Sequence, residues 1–105
     1  LPLDETRGIP LGYVNALNNW RTPQRAENFR VQYFLSKAGE SVFRVYNVAG
    51  EVVFEESITN AISGPQPDWN WNWTNSDGQS VAPGAYFVFV KTPDGQTIKR
   101  AAVIR

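Results

Sequence analysis

Apolar and polar residues alternate along most of this chain, in short runs separated by groups of turn-forming residues. In the run 29–35, Phe29, Val31, Tyr33 and Leu35 fall on one face at the two-residue period of a β-strand. Turn signals recur about every 8–12 residues, which is the spacing of a β-sandwich. No segment keeps a 3.6-residue period over the length of a helix. The pattern therefore predicts an all-β protein.

The same pattern predicts a strand after each later turn. These strands are 40–47, 51–58, 69–74, 85–91 and 96–104, with turns or loops at 36–39, 49–50, 60–68, 75–78 and 92–95. Phe43 and Val45 should face inward, and Val52 should share a face with Phe54. We expect an antiparallel β-sandwich of about six or seven strands in two sheets.

The first part of the chain has a different composition. Residues 1–27 are rich in Pro, Gly and Asn, so we divide the chain into an irregular N-terminal arm, 1–27, and a sandwich, 28–105. A short edge strand is expected from Ile9, Leu11, Tyr13 and Val14, and Asn15–Trp20 alternatively forms one helical turn. A fully extended arm of this length reaches roughly 90 Å, so it could pack on its own domain or on a neighbouring copy.

The composition excludes several classes of function. The 105 residues suit one small domain, and ten basic and ten acidic residues cancel, so no basic surplus favours nucleic acid. The chain has no His or Cys, which excludes Ser–His–Asp and Cys–His catalysis within it. Glu55 and Glu56 are adjacent and point to opposite faces of a strand, so they are poorly placed as an acid/base pair. We expect no enzymatic activity, catalytic residues or cofactor.

A calcium loop and a membrane span are also disfavoured. Asn75 and Asp77 have the spacing of loop ligands, but Trp73 occupies the position where an acidic first ligand is needed. We therefore expect a structural turn and no metal. No apolar run approaches the roughly 20 residues of a transmembrane helix.

Three motifs carry a resemblance to a known family. They are Val45–Val53 (VYNVAGEVV), Trp73–Gly78 (WTNSDG) and Val81–Val88 (VAPGAYFV). In this order and spacing they resemble the Ig-like domain of the flagellar hook-capping protein, which recurs at the C-terminal ends of secreted and surface bacterial proteins. The closing run Ile98–Arg105 is similar to the end of type IX secretion sorting domains. The resemblance covers Val31 to Arg105. It implies an Ig-like antiparallel β-sandwich of about seven strands, and an accessory or assembly module without catalytic residues.

One strand predicts an interaction surface. In 85–91, Tyr86, Val88 and Val90 share the face that should line the core, so Phe87 and Phe89 lie on the opposite face. A solvated face should be polar, and two phenylalanines indicate that it is covered. The cover is either the chain's own arm, through Trp20 or Tyr13, or another subunit.

A second aromatic run allows a carbohydrate interpretation. Trp69, Trp71 and Trp73 alternate, so one β-strand places their indoles on the same face. They either fill the core, which large aromatic side chains dominate in small domains, or leave Trp69 and Trp71 as an exposed strip for stacking on polysaccharide.

These observations lead to one expected function and two alternatives. We expect a non-enzymatic module, extracellular or at the cell surface, that packs against neighbouring domains or identical subunits. A sharper hypothesis adds the N-terminal arm as a strand to a neighbouring copy and so builds a filament. The alternatives are a carbohydrate-binding module and the C-terminal secretion-sorting domain of a larger secreted protein. The chain begins at Leu1, so we expect a processed product or an excised domain.

Overall fold

All regular structure in the described part of the chain is β-strand. The computed structural model describes residues 3–4, 9–10, 13–18, 20–22 and 27–104. The strands are β1 (Leu3–Asp4), β2 (Ile9–Pro10), β3 (Val14–Leu17), β4 (Trp20–Arg21), β5 (Phe29–Leu35), β6 (Gly39–Asn47), β7 (Val52–Asn60), β8 (Gly64–Pro65), β9 (Trp69–Trp71), β10 (Gly84–Thr92) and β11 (Gly95–Val103). The predicted strands and turns from residue 29 onward are found close to their expected positions, with two exceptions. β9 ends at Trp71 rather than Thr74, and the predicted loop 60–68 contains the short strand β8, which pairs with β5.

Two sheets pack face to face. The larger has the strand order β4-β11-β10-β6-β7, and the smaller has the order β3-β5-β8, with β9 also paired to β5. A separate two-stranded ladder joins β1 to β2. The predicted all-β sandwich is confirmed.

The N-terminal segment contributes a strand to each sheet. β3 pairs antiparallel with β5 in the smaller sheet, and β4 pairs parallel with the end of β11 in the larger. Asn18 lies between them with φ of 56°, a left-handed conformation that Asn tolerates better than most residues. The helical turn predicted for Asn15–Trp20 is wrong, because Asn15, Ala16 and Leu17 are held in a ladder with β5.

Two of the arm's strands, β3 and β4, therefore pair with the sandwich of their own chain. Val14 starts the edge strand that the sequence predicted, whereas Ile9 belongs to the separate ladder with Leu3–Asp4. Leu11 lies outside the described residues. Since β3 and β4 already pair with their own chain, they do not serve as strands donated to another copy in this structure.

Aromatic side chains dominate the core between the sheets. Phe29, Val31, Tyr33 and Leu35 are buried, as their spacing predicts, and so are Phe43, Val45, Tyr86, Val88 and Val90. Trp73 packs edge-on against Phe29 at 6.1 Å between ring centroids. Trp71 lies 5.9 Å from the Tyr86 ring across the two sheets.

A β-bulge changes the face of one predicted residue. The β6–β7 register shifts between Val45 and Tyr46, so that Val45 pairs with Phe54 while Tyr46 pairs with Val52. Val53 is the extra residue, and it packs against the core together with Phe54. The prediction that Val52 shares a face with Phe54 is wrong, since the bulge turns Val52 to solvent.

The three motifs of the family resemblance have structural explanations. The Asn47 carboxamide oxygen accepts hydrogen bonds from the amides of Ala49 and Glu51, at 3.0 Å each, and so closes the β6–β7 turn. The Asn75 oxygen accepts in the same way from Asp77 and Gln79. Tyr86 donates from its hydroxyl to the Ala82 carbonyl four residues upstream at 2.5 Å, which is the tyrosine corner of Ig-like sandwiches.

Candidate functional site

The outer face of the larger sheet carries the candidate site. Along β10, Tyr86, Val88 and Val90 are buried while Phe87 and Phe89 are half-buried. The facing predicted from the sequence is thus confirmed. Strand register extends this outer face across the sheet to Trp20, Val42, Arg44, Tyr46, Val52, Glu55, Ala85, Lys91, Ile98, Arg100 and Ala102.

The Phe89 half of this face is covered by the chain's own side chains. The Arg44 guanidinium lies 6.0 Å from the centre of the Phe89 ring, within the range of a cation–π interaction. Arg44 also donates from Nε to Glu55 at 2.7 Å and from Nη1 to the Tyr46 hydroxyl at 3.2 Å. Hydrogen bonds to Tyr46 and then Glu55 raise the pKa of Arg44 above its usual value, so the cation over Phe89 persists at all ordinary pH values.

The Phe87 half is open and concave. A groove of about 370 Å³ lies between Trp20, Phe87 and Arg100, with Ala85 and Ala102 contributing to its lining. We call this groove the Trp20–Phe87 slot. Trp20 reaches it because β4 pairs with β11 at Ala102, which places the indole on the same side of the sheet as Phe87. Small side chains at Ala85 and Ala102 leave space between the two aromatic rings. Trp20 is 41% exposed.

The slot is apolar apart from a cation. Tyr86 also lines it, but its hydroxyl already donates to the Ala82 carbonyl, and burial raises the pKa of this phenol. Arg100 is exposed and pairs across the strands with Phe87. Among the residues that the structure describes, no carboxylate forms an ion pair with Arg100. An aromatic slot with an uncompensated cation at its rim suits an apolar group that carries negative charge.

Tyr13 lies away from this face. Its ring packs on Phe34 with 6.3 Å between centroids, and its carbonyl accepts from the Phe34 amide at 2.9 Å. Phe34 belongs to β5 in the smaller sheet, so Tyr13 does not cover Phe87 or Phe89. The prediction that Tyr13 shares their surface is wrong, because β3 carries Tyr13 to the opposite sheet.

Trp69 and Trp71 lie inside the sandwich. They are 3% and 1% exposed, and each indole nitrogen already has an acceptor. Trp69 donates to Glu56 at 2.8 Å and Trp71 to the Thr74 carbonyl at 2.7 Å. These rings present no face to solvent, so an exposed strip for stacking on polysaccharide is incompatible with this fold.

Trp73 is buried without continuing the strand. Its φ of 62° is left-handed, which ends β9 and turns the backbone. The indole nevertheless points into the core and donates to the Glu27 carbonyl at 2.7 Å. The alternation of apolar residues therefore predicted correctly that Trp73 is buried. It predicted wrongly that Trp73 continues the strand.

The described residues offer neither a metal site nor a membrane-spanning helix. In that part of the chain no group of three or more acidic side chains is arranged to hold a metal ion. No membrane-spanning helix is found among residues 3–4, 9–10, 13–18, 20–22 and 27–104 either.

Arg100, Ala85 and Ala102 are site residues that the sequence analysis did not identify. A signal for Arg100 was nonetheless present. Counting outward from the hairpin turn at Thr92 and Gly95 pairs Phe87 with Arg100, and this is the register observed. The position of Trp20 depends on the sheet switch at Asn18, for which the sequence contained no comparable signal.

Three solved structures resemble this fold. Part of PorZ from Porphyromonas gingivalis, described as an essential bacterial surface component of the type-IX secretion system, matches 88% of this chain at 26% identity with a TM-score of 0.62. Dimeric latent PorU from the same organism matches 92% at 20% identity with a TM-score of 0.57. FlgD from Xanthomonas campestris, described in connection with hook capping in flagellar assembly, matches 88% at 16% identity with a TM-score of 0.50.

These similarities describe a domain rather than a whole relative. This chain spans 11% of PorZ and 10% of PorU, compared with 67% of FlgD. At their low identities, PorU and FlgD establish the fold alone. No protein-family model matches the sequence, and no curated protein does. The comparisons support the predicted resemblance as an Ig-like β-sandwich domain of surface proteins.

Proposed function

We propose that this chain is a non-enzymatic module of a bacterial surface or secretion-associated protein, which docks on a neighbouring domain or subunit through the outer face of its larger sheet. The similarity to part of PorZ carries the proposal, because that protein is described as a surface component of a secretion system. The same similarity supports an extracellular or cell-surface location as part of this proposal.

The outer face supports docking by its composition. It combines half-buried Phe87 and Phe89 with exposed Trp20 and Ile98. Aromatic and Arg side chains are enriched at the centres of protein interfaces, where a few of them provide most of the binding energy. The open edge of β11 is less suitable, since Lys99 pairs with the buried Val88 and so faces inward, where a charge discourages strand addition.

A double substitution tests the proposal. The full protein carrying Phe87→Ser and Phe89→Ser should fold, since both side chains lie outside the core, but should leave the high-molecular-mass fraction of cell-envelope extracts. Ile62→Ser is the matched control, because Ile62 is an exposed apolar residue, at 68%, outside the outer face. Retention of the double variant in that fraction at the wild-type level would contradict the proposal.

Secretion sorting stays a separate prediction. The similarity to a type-IX secretion component makes it the second candidate function. Fusion of this chain to the C-terminus of a periplasmic reporter in a bacterium with type IX secretion would test it. Reporter at the cell surface would support sorting, and reporter confined to the periplasm would exclude it.

A further inference from the structure

We infer that the Trp20–Phe87 slot receives one large apolar side chain of a partner protein, and that Arg100 binds a carboxylate adjacent to that side chain. This inference rests on the proposed function and specifies its partner. The carboxylate belongs to a neighbouring Asp or Glu of the partner segment or to its chain terminus.

The shape of the slot supports the insertion of one large apolar side chain. Trp20 and Phe87 belong to strands on either side of β11. Between them, Ala85 and Ala102 are the smallest outer-face side chains on β10 and β11. A volume of about 370 Å³ is more than enough for one large side chain. Apolar pockets flanked by aromatic rings are where interface anchors insert.

The charge around the slot supports the binding of a carboxylate by Arg100. The outer-face positions of β10 and β11 include Lys91 and Arg100 and no acidic residue. Arg44, by contrast, is matched by Glu55 on the neighbouring strands. The β10–β11 half of the face is therefore positively charged, and a guanidinium binds a carboxylate through charge-assisted hydrogen bonds.

The distance between Ala102 and Arg100 allows neighbouring residues of one partner segment to make both contacts. Arg100 and Ala102 are two residues apart on one strand and so roughly 7 Å apart along it. Consecutive Cα atoms of a partner segment are about 3.8 Å apart. A side chain seated over Ala102 therefore leaves the next residue within reach of the Arg100 guanidinium.

The polarity of the slot favours a peptide over a sugar. A saccharide needs several hydrogen-bond partners for its hydroxyls, and leaving them unpaired is costly. The slot side chains that carry polar groups are Trp20, Tyr86 and Arg100, and the Tyr86 hydroxyl is already bonded to Ala82. An apolar side chain next to one carboxylate needs only the apolar slot and the Arg100 guanidinium.

Peptide titration monitored by NMR tests the inference. The probes are acetylated and amidated tetrapeptides of sequence Gly-Phe-Asp-Gly, Gly-Phe-Asn-Gly and Gly-Ala-Asp-Gly, added to ¹⁵N-labelled protein. The Phe-Asp peptide should shift the Trp20 indole N–H signal and the amides of Phe87 and Arg100, with a Kd of about 1 mM, as expected for one anchor. The Phe-Asn and Ala-Asp peptides should each bind about fivefold or more weakly.

Substitutions in the protein test the carboxylate contact at Arg100 and the apolar contact in the slot separately. Arg100→Gln should abolish the difference between the Phe-Asp and Phe-Asn peptides, while Arg30→Gln on the smaller sheet should preserve it. Ala102→Leu fills the slot and should weaken all binding at least fivefold, and the spectrum of the variant itself reports whether it is folded. Equal binding of the Phe-Asp and Phe-Asn peptides by wild type would overturn the role of Arg100.

Other occupants give different results. Shifts at the slot with cellotetraose but not with the peptides would overturn the inference in favour of a saccharide. Slot shifts that depend on protein concentration alone would replace the partner with a second copy. The peptides could show no binding while the Phe87→Ser and Phe89→Ser double variant is still lost from the high-molecular-mass fraction. In that case the slot inference is wrong and the proposed function stands.

Discussion

The Trp69 indole stacks on the Phe43 ring with centroids 4.6 Å apart and planes 9° from parallel. Trp69 belongs to β9 in the smaller sheet and Phe43 to β6 in the larger, so this pair joins the two sheets across the core. The indole nitrogen points outward to Glu56 of β7. The tryptophan run is therefore a structural element that fixes how the two sheets pack.

Adjacent glutamates should differ in their effect on stability. Glu56→Ala removes the acceptor of the nearly buried Trp69 indole and should cost about 1–2 kcal/mol. Glu55→Ala breaks an exposed pair with Arg44 and should cost less than about 1 kcal/mol. Urea unfolding followed by circular dichroism measures both. Glu56→Gln keeps an acceptor oxygen and should stay near wild type, and equal losses for the two alanine variants would refute the structural role of Glu56.

The amide of Asn60 connects buried hydroxyls. Its oxygen accepts from Ser41 at 2.5 Å and its nitrogen donates to the Tyr33 hydroxyl at 3.1 Å. Asn60→Ala leaves Ser41, which is fully buried, without this acceptor and should cost about 2–3 kcal/mol. Asn70→Ala, an exposed control with one long contact of 3.4 Å, should change stability by less than about 0.5 kcal/mol. Thermal unfolding of both variants measures this difference. Near-identical midpoints would contradict a stabilising role for the hydrogen bonds of Asn60.

Gly39 should reject a side chain for two reasons. Its φ of 153° is unfavourable for other residues, and an added Cβ would lie 2.6 Å from Cγ of Pro93 in the β10–β11 turn. Gly39→Ala should destabilise the fold by about 1–3 kcal/mol.

A double-mutant cycle separates these reasons. Pro93→Ala removes Cγ, so the double variant should be less destabilised than the sum of the single variants by about 1 kcal/mol. The conformational strain at residue 39 remains. Strict additivity would show that the approach of Gly39 to Pro93 is unimportant.

Stability should fall at alkaline pH partly through Tyr33. Burial, opposed by the hydrogen bond from Asn60 and reinforced by Glu56, raises the pKa of Tyr33 above its usual 10.0. The folded chain therefore holds this proton more tightly than the unfolded chain, so the stabilisation is present below about pH 10 and is lost as the pH rises through the folded-state pKa. Urea midpoints between pH 8 and 11.5 should fall less steeply for Tyr33→Phe than for wild type. Identical slopes would exclude Tyr33 as a contributor.

Local patterns predicted most of the sandwich. Alternation identified the inward faces of β5 and β10, and turn residues placed the hairpin between β10 and β11, because these features depend on neighbours in sequence. The resemblance motifs likewise proved to be turns closed by Asn47 and Asn75 and a corner closed by Tyr86.

Long-range features were not predictable in the same way. The bulge opposite Tyr46 depends on how β6 and β7 pair, and it reversed the expected face of Val52. Trp20 joined the outer face and Tyr13 the smaller sheet because the chain changes sheets at Asn18, a tertiary effect that local alternation does not encode. Arg100 could have been found by extending the hairpin register.

Oxidative footprinting of the outer face is a direct test of whether the module docks through that face. Hydroxyl-radical labelling of Trp20 and Phe87 would be compared between the purified chain and the chain within its cell-envelope assembly, with Ile62 as an internal reference. If the module docks through this face, labelling of Trp20 and Phe87 should fall severalfold on assembly while labelling of Ile62 is unchanged. Equal labelling of Trp20 and Phe87 in both states would contradict docking through this face.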